Sequence, residues 1–304
     1  MTEFSSAGPT EGGRLGRSVS RMLPAPEWAM RAMRRTAVLL AITAIAAGLA
    51  PLAGASDMTV GWITECDFSH RAKDDPIVFP GQPGASHYHD FYGNVTTNAA
   101  STYASLLHGD TTCTRRTDTA AYWVPTLYVG GQAQLPRAVR FYYRDIVDPP
   151  SDVRPYPRAL RIVAGDASAT GPQDIGDVWW QCDHGVHTAT PTDCARGEHV
   201  VYHVKFPECW DGQHLDSPDH VSHMAESVDL DSGRDVCPRS HPVVLPRLTV
   251  RLEWNIRYGS KITLSSGMPY TLHADFFNSW HQRRLRHLVR TCIDAAVDCG
   301  VLGR

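Results

Sequence analysis

Leu248-Thr249-Val250-Arg251-Leu252-Glu253-Trp254-Asn255-Ile256 alternates apolar and polar side chains without a break. In an extended chain, successive side chains point to opposite faces. This stretch therefore turns Leu248, Val250, Leu252, Trp254 and Ile256 to one side of a sheet. Residues 139–143, 160–164 and 200–206 are also rich in β-branched and aromatic residues and read as strands. Pro, Gly and Asp clusters separate them, as at Asp148-Pro149-Pro150, Gly165-Asp166 and residues 238–242. Strands divided by long irregular connections imply a mostly β, sandwich- or jelly-roll-like domain. One helix is expected near the C-terminus, capped by Asn278 or Ser279. Trp280, Leu285, Leu288, Val289, Cys292 and Ala296 recur there at helical spacing, with Arg283, Arg284 and Arg286 on the solvated side.

Residues 30–55 have the layout of a secretory signal. Arg31, Arg34 and Arg35 form a basic start, residues 37–50 are apolar, and Ala53-Gly54-Ala55 is a small-residue cleavage site. Residues 1–29 are polar and unpatterned, so translation is expected to begin at Met30 or Met33, and residues 56–304 to form one exported domain. All eight cysteines lie in that domain. An even count in an exported chain implies disulfides, and loops this long need such staples. Cys182–Cys194 and Cys209–Cys237 are the pairs that short separation favours. Cys292 and Cys299 stand about 10 Å apart along a continuous helix, so they pair only if the helix ends between them. No CxxC spacing suggests a zinc ribbon.

Without residues 1–55, which hold six Arg and three Glu, the net charge is −6. A mildly acidic chain without long basic tracts argues against nucleic acid, or a membrane after signal cleavage, as the main partner. All 15 His lie beyond residue 55. They concentrate in Ser86-His87-Tyr88-His89-Asp90, in residues 209–223 and in His273-Ala274-Asp275. On a strand, His87 and His89 face one way, as do His273 and Asp275. That is ligand-like geometry for a divalent metal, with Asp90 or Asp275 as oxygen donor. His220 and His223 share a face on a helical turn, and Asp216 or Asp219 is placed to orient His220 as a base. An Asp-rich turn knitted by its own hydrogen bonds is the plainer reading of that loop. HExxH and GxSxG are both absent. Most Trp are read as core, whereas Trp210, between Cys209 and the Asp/His run, is a candidate sugar platform, with Arg161 and Asp216 as further substrate contacts.

The order of these motifs resembles the secreted family called domain of unknown function nineteen ninety-six, found in fungi and actinobacteria. The resemblance runs through Asp75-Pro76-Ile77-Val78, His87-x-His89, Tyr122-Trp123-x-Pro125 and Arg161 to Asp166. It continues through Cys209-Trp210-Asp211-Gly212, Asp216-Ser217-x-Asp219-His220-x-Ser222-His223 and His273-x-Asp275. It implies secretion and, from fungal relatives fused to WSC modules, a polysaccharide or cell-wall setting. Ala274, Ser279 and His281 depart from the family pattern.

Two classes of function remain open. One is a monomeric polysaccharide hydrolase or lyase using His89, Asp219, His220 and Asp275 in acid–base roles, with a metal on His87, His89, His220, His223 and His273. The other is a non-catalytic cell-wall or glycan-binding protein in which the metal is structural. A metal-scavenging or redox protein is a third possibility. A histidine-brace oxygenase is disfavoured, because the new N-terminus would be Ser56 and not His.

Overall fold

The computed structural model describes residues 60–145, 153–230 and 234–303. The signal-like segment and the polar extension before it lie outside the described residues. Two antiparallel sheets face one another. The larger runs Asp298–Val301, Gly61–Glu65, Ala138–Arg144, Arg247–Trp254, Val200–Lys205, Val178–Cys182, with its first pair parallel. The smaller runs Phe68–Ala72, His89–Gly93, Ala121–Pro125, His273–Phe277, Arg161–Gly165. The fold is thus mostly β, as the alternation implies. In the Arg247–Trp254 strand, Leu248, Val250, Leu252 and Trp254 are all buried in the main core.

Aromatic rings fill the space between the sheets. The Tyr122 and Phe141 rings lie 3.9 Å apart, Phe276 packs on Tyr122 and Phe206, and Trp280 donates its indole N–H to the Tyr143 hydroxyl at 3.0 Å. Each fully buried ring of this kind contributes on the order of 1.5–3 kcal/mol. The smaller sheet is buried on its other face as well. There Phe91, Ala121, Trp123 and Phe277 meet Ile77 from a covering loop and Leu106 from the short helix Tyr103–Leu107. This double burial explains why Ala121–Pro125 reads as a continuous apolar run and not as an alternating strand.

All four disulfides form: Cys66–Cys113, Cys182–Cys194, Cys209–Cys237 and Cys292–Cys299. The last closes because the helix Gln282–Leu288 runs into a π turn at Val289–Ile293, and the chain then reverses into a strand. The helix start differs from expectation. His281 occupies the cap position with no side-chain cap bond. Asn278 and Ser279 are instead buried, bonding the Pro157 and Thr119 carbonyls. Asn94, which opens the acceptor pattern Asn94-Val95-Thr96, is also buried, its amide donating to the Leu106 and Thr119 carbonyls. No helix among the described residues is long and apolar enough to cross a membrane.

Candidate functional site

The site is built on the outer face of the smaller sheet. Phe91, Trp123, Asp275 and Val163 form one row across it. His89 and His273 stand two residues before Phe91 and Asp275 on strands that run in the same direction, so period-two alternation brings both rings to one side of that row. The neighbouring strand approaches closely because Gly165, paired with His273, has φ +76°. A Cβ there would lie 2.6 Å from the Leu272 carbonyl oxygen. His87, just before the first of these strands, turns its half-buried ring onto the same point.

Three imidazoles converge there. His87 Nε2 lies 3.2 Å from His273 Nε2, and His89 Nε2 lies 3.4 Å from the same atom. His273 Nδ1 donates to the Thr271 carbonyl at 2.8 Å, and His89 Nδ1 donates to the Asp74 carbonyl at 3.0 Å. A neutral imidazole carries one N–H, so these contacts leave both Nε2 atoms as lone pairs. Two lone pairs facing each other at 3.4 Å repel unless a proton or cation lies between them. Loss of solvent holds His87 and His273 down to about 4, with mutual repulsion adding to the effect at His273. Burial, with repulsion from both neighbours, keeps His89 well below its ordinary value. All three are therefore neutral donors near pH 7.

Two carboxylates form a second donor group that shares His89 with the first. Asp75, His89 and Asp275 offer ligand atoms within 4.8 Å of one another. Asp275 is 1% exposed, its Oδ2 has no hydrogen-bond partner, and burial beside Asp75 pushes its pKa well up. Burial also raises Asp75, against the pull of the Val78 and Ile77 N–H groups and the nearby His220 ring. Sequence reasoning missed Asp75 as a site residue. The available signal was its place in a quoted motif, Asp75-Pro76-Ile77-Val78. Asp90, considered as an oxygen donor, faces the opposite side of the sheet. There it accepts from Arg71 Nη2 at 2.9 Å and from Thr126 Oγ1 at 2.7 Å.

The 211–223 loop is arranged differently. His220 Nδ1 lies 2.9 Å from Asp216 Oδ1, while Asp216 Oδ2 accepts from Arg161 Nη1 at 3.0 Å. The Arg161 guanidinium lies 4.8 Å over the Phe277 ring. This chain leaves His220 Nε2 open and near enough to Asp75 to lower its pKa. The residue takes φ +60°, a left-handed conformation that non-glycine residues seldom adopt outside functional or tightly bonded positions. His223 is buried and donates from Nε2 to the Arg161 carbonyl at 2.7 Å, with Nδ1 against Ser217 Oγ at 2.9 Å. Both of its nitrogens are engaged. Asp219 Oδ1 accepts from the Ser217 hydroxyl, the Val221 and Ser222 N–H groups and the Ser222 hydroxyl. These bonds hold its carboxyl far below the usual range. Trp210 packs partly buried against the main core and donates to the His214 carbonyl at 2.6 Å.

The structure thus gathers His87, His89 and His273 at one point, sets Asp75 and Asp275 in a second group around His89, and places His220, with Asp216 and Arg161, near Asp75. It does not bring His223, Asp219 or Trp210 into either group. Among the described residues, no group of three metal-capable donors includes His220 or His223.

Residues 75–280 match the family model described as "Domain of unknown function (DUF1996)". No curated protein and no solved structure matches the chain. The chain belongs to the DUF1996 family.

Proposed function

We propose that this chain, in a family defined by no activity, is a metal-dependent acid–base enzyme that acts on a polysaccharide by hydrolysis or β-elimination. The supporting observation is the spacing of the three Nε2 atoms. Tetrahedral ligands at about 2.0–2.1 Å from a zinc-like ion stand roughly 3.3 Å apart. The distances to His273 Nε2, 3.2 and 3.4 Å, bracket that edge. Backbone carbonyls fix the Nδ1 side of His89 and His273, the arrangement that orients imidazole ligands in metal sites. Three protein ligands leave the fourth position for water or substrate, the pattern of a catalytic site.

Once bound, a divalent ion supplies Lewis acidity toward a water or a substrate oxygen. The protein's own groups divide the proton work. His220, its Nδ1 held by Asp216, presents Nε2 as the base. Asp275, kept protonated by burial, is the acid. The half-buried His87 is the member of the triad that reaches solvent.

The test is elemental analysis of the purified protein, beside a screen for new reducing ends and unsaturated products over neutral and acidic glycans. A single divalent ion per chain, with turnover lost on His89→Ala in a protein that still folds, is the expected result. Full activity in chelator-treated, metal-free protein would exclude the reading. The near-complete burial of His89 and His273 also supports a second reading, a structural metal in a glycan-binding module. In that case His89→Ala lowers the melting temperature together with metal content, and the native protein turns nothing over.

A further inference from the structure

A second, differently charged feature stands apart from the histidine cluster. The helix Gln282–Leu288 and the segment after it border an open hollow of about 790 Å³. Arg158, Arg283, Arg284, Arg286 and Arg290 line it, and His281 and His287 add two imidazoles. No carboxylate lines it among the described residues. Asp294 feels the charge of Arg290 but forms no ion pair with it. Six arginines elsewhere in the molecule are paired. Arg71, Arg137, Arg140, Arg161, Arg247 and Arg251 each bridge a carboxylate. Among the described residues the five around the hollow make no such bridge, although the whole chain carries a net charge of −3.

Clustering unpaired guanidinium groups on one wall costs repulsion, which an anionic ligand would offset. Two of the lining residues also hold a buried polar atom without a hydrogen bond, Thr117 Oγ1 and Arg284 Nε. Tyr103 adds an aromatic edge. The volume falls in the range of sites that enclose small ligands, about 300–1,000 Å³.

The location relates the hollow to the proposed active site. Tyr103 packs against the apolar cluster that contains Phe91, Trp123 and Phe277, on the same face of the smaller sheet as the histidines. Phe277 ends the strand that His273 begins, roughly 13 Å away at about 3.3 Å per residue.

We infer that this hollow binds the acidic groups of a glycan, uronate carboxylates or sulfate esters, and so makes the substrate class of the proposed enzyme an acidic polysaccharide. The inference rests on the glycan reading above for its role but not for its binding chemistry. Planar guanidinium forks match carboxylate and sulfate oxygens two at a time. A duplex nucleic acid or an anionic membrane fits less well. Either presents a broad surface to a molecule that is acidic on average, whereas a single glycan chain enters the hollow alone.

The test is binding of labelled oligouronate, sulfated oligosaccharide, neutral oligoglucan, duplex DNA and phosphatidylserine vesicles to the full chain and to Arg283→Glu/Arg286→Glu. Both arginines are exposed, so charge reversal is not expected to disturb the core. The expected result is binding of the acidic glycans only, weakened by high salt and reduced at least about tenfold in the variant. Melting temperature and metal content stay unchanged. Equal binding of neutral glycan, no binding by acidic glycan, binding confined to DNA or vesicles, or full affinity in the variant would each overturn it. If the variant does not fold, the salt dependence and glycan selectivity of the native chain decide. Binding is read without turnover, so an inactive or metal-free protein that still binds acidic glycan defeats the enzyme reading and leaves this one standing.

Discussion

Residues 86–90 and residues 211–223 contain the same ingredients, imidazoles beside carboxylates, yet the structure uses them in different ways. In the first, His87 and His89 join His273 with their Nε2 atoms turned toward one another. In the second, Asp219 spends its carboxylate within the loop, and His223 ties the loop to the Arg161 carbonyl. The physical difference is the backbone beneath them. A strand supplies its own backbone pairing through the sheet, which leaves side chains free to project. An irregular loop has to satisfy its N–H and C=O groups through nearby Asp, Ser and His side chains. Residue type alone therefore does not reveal which donors are available to a ligand.

The largest expected effect separates the two regions directly. His89→Ala should lower divalent-metal affinity by at least about a hundredfold, since even the outer partners of metal ligands are worth roughly 10–100-fold. His223→Ala should leave metal affinity within about threefold and instead cost about 1–3 kcal/mol, through the unmet Arg161 carbonyl. Calorimetric metal titration and chemical denaturation of both variants check this pair. Comparable metal loss in both would erase the distinction.

A smaller effect should appear with pH in metal-stripped protein. His87 and His273 take up protons near 6.5 when unfolded but only near 4 when folded. Unfolding therefore binds protons between those values, and stability falls as pH drops from about 6.5 toward 4. Asp75 and Asp275, raised by burial, act in the opposite sense. Comparison with His273→Asn shows the histidine contribution as a shallower slope in the variant, measured by urea denaturation across that window. An unchanged slope would mean that the buried imidazoles are not neutral in the folded protein.

The smallest effect belongs to the loop. Asp219→Ala removes an acceptor shared by four donors, so proteolytic nicking within 211–223 should quicken while metal content holds. The Cys209–Cys237 disulfide, closing a separation of 28 residues, should keep the nicked segment attached. Loss of metal in this variant would tie the loop more closely to the histidine cluster than its hydrogen bonds indicate.

Much of this was legible beforehand where the local period was strong. The alternation at residues 248–256 marks a strand and its buried face, observed as Arg247–Trp254. The i, i+2 spacing puts His273 and Asp275 on one face of a strand. Legibility failed where partners came from distant segments. Asn278 and Ser279 have the composition of helix caps, but the Pro157 and Thr119 carbonyls claim them. Arg161 and Asp216 pair with each other across 55 residues, a contact that no local period announces. Asp75 joins His89 and Asp275 only because a covering loop lays it against a strand two hundred residues later.

The sequence alone determined the β-rich class and which residue types were concentrated, and it favoured two of the disulfide pairs. Those are local properties, set by side-chain period, short separation and composition. Tertiary structure alone decided that His87, His89 and His273 meet, that Asp219 and His223 brace a loop, and that five arginines share a hollow without acids. Each of those outcomes depends on which strands become neighbours and on which backbone groups are left to be satisfied, and neither is written in the spacing along the chain.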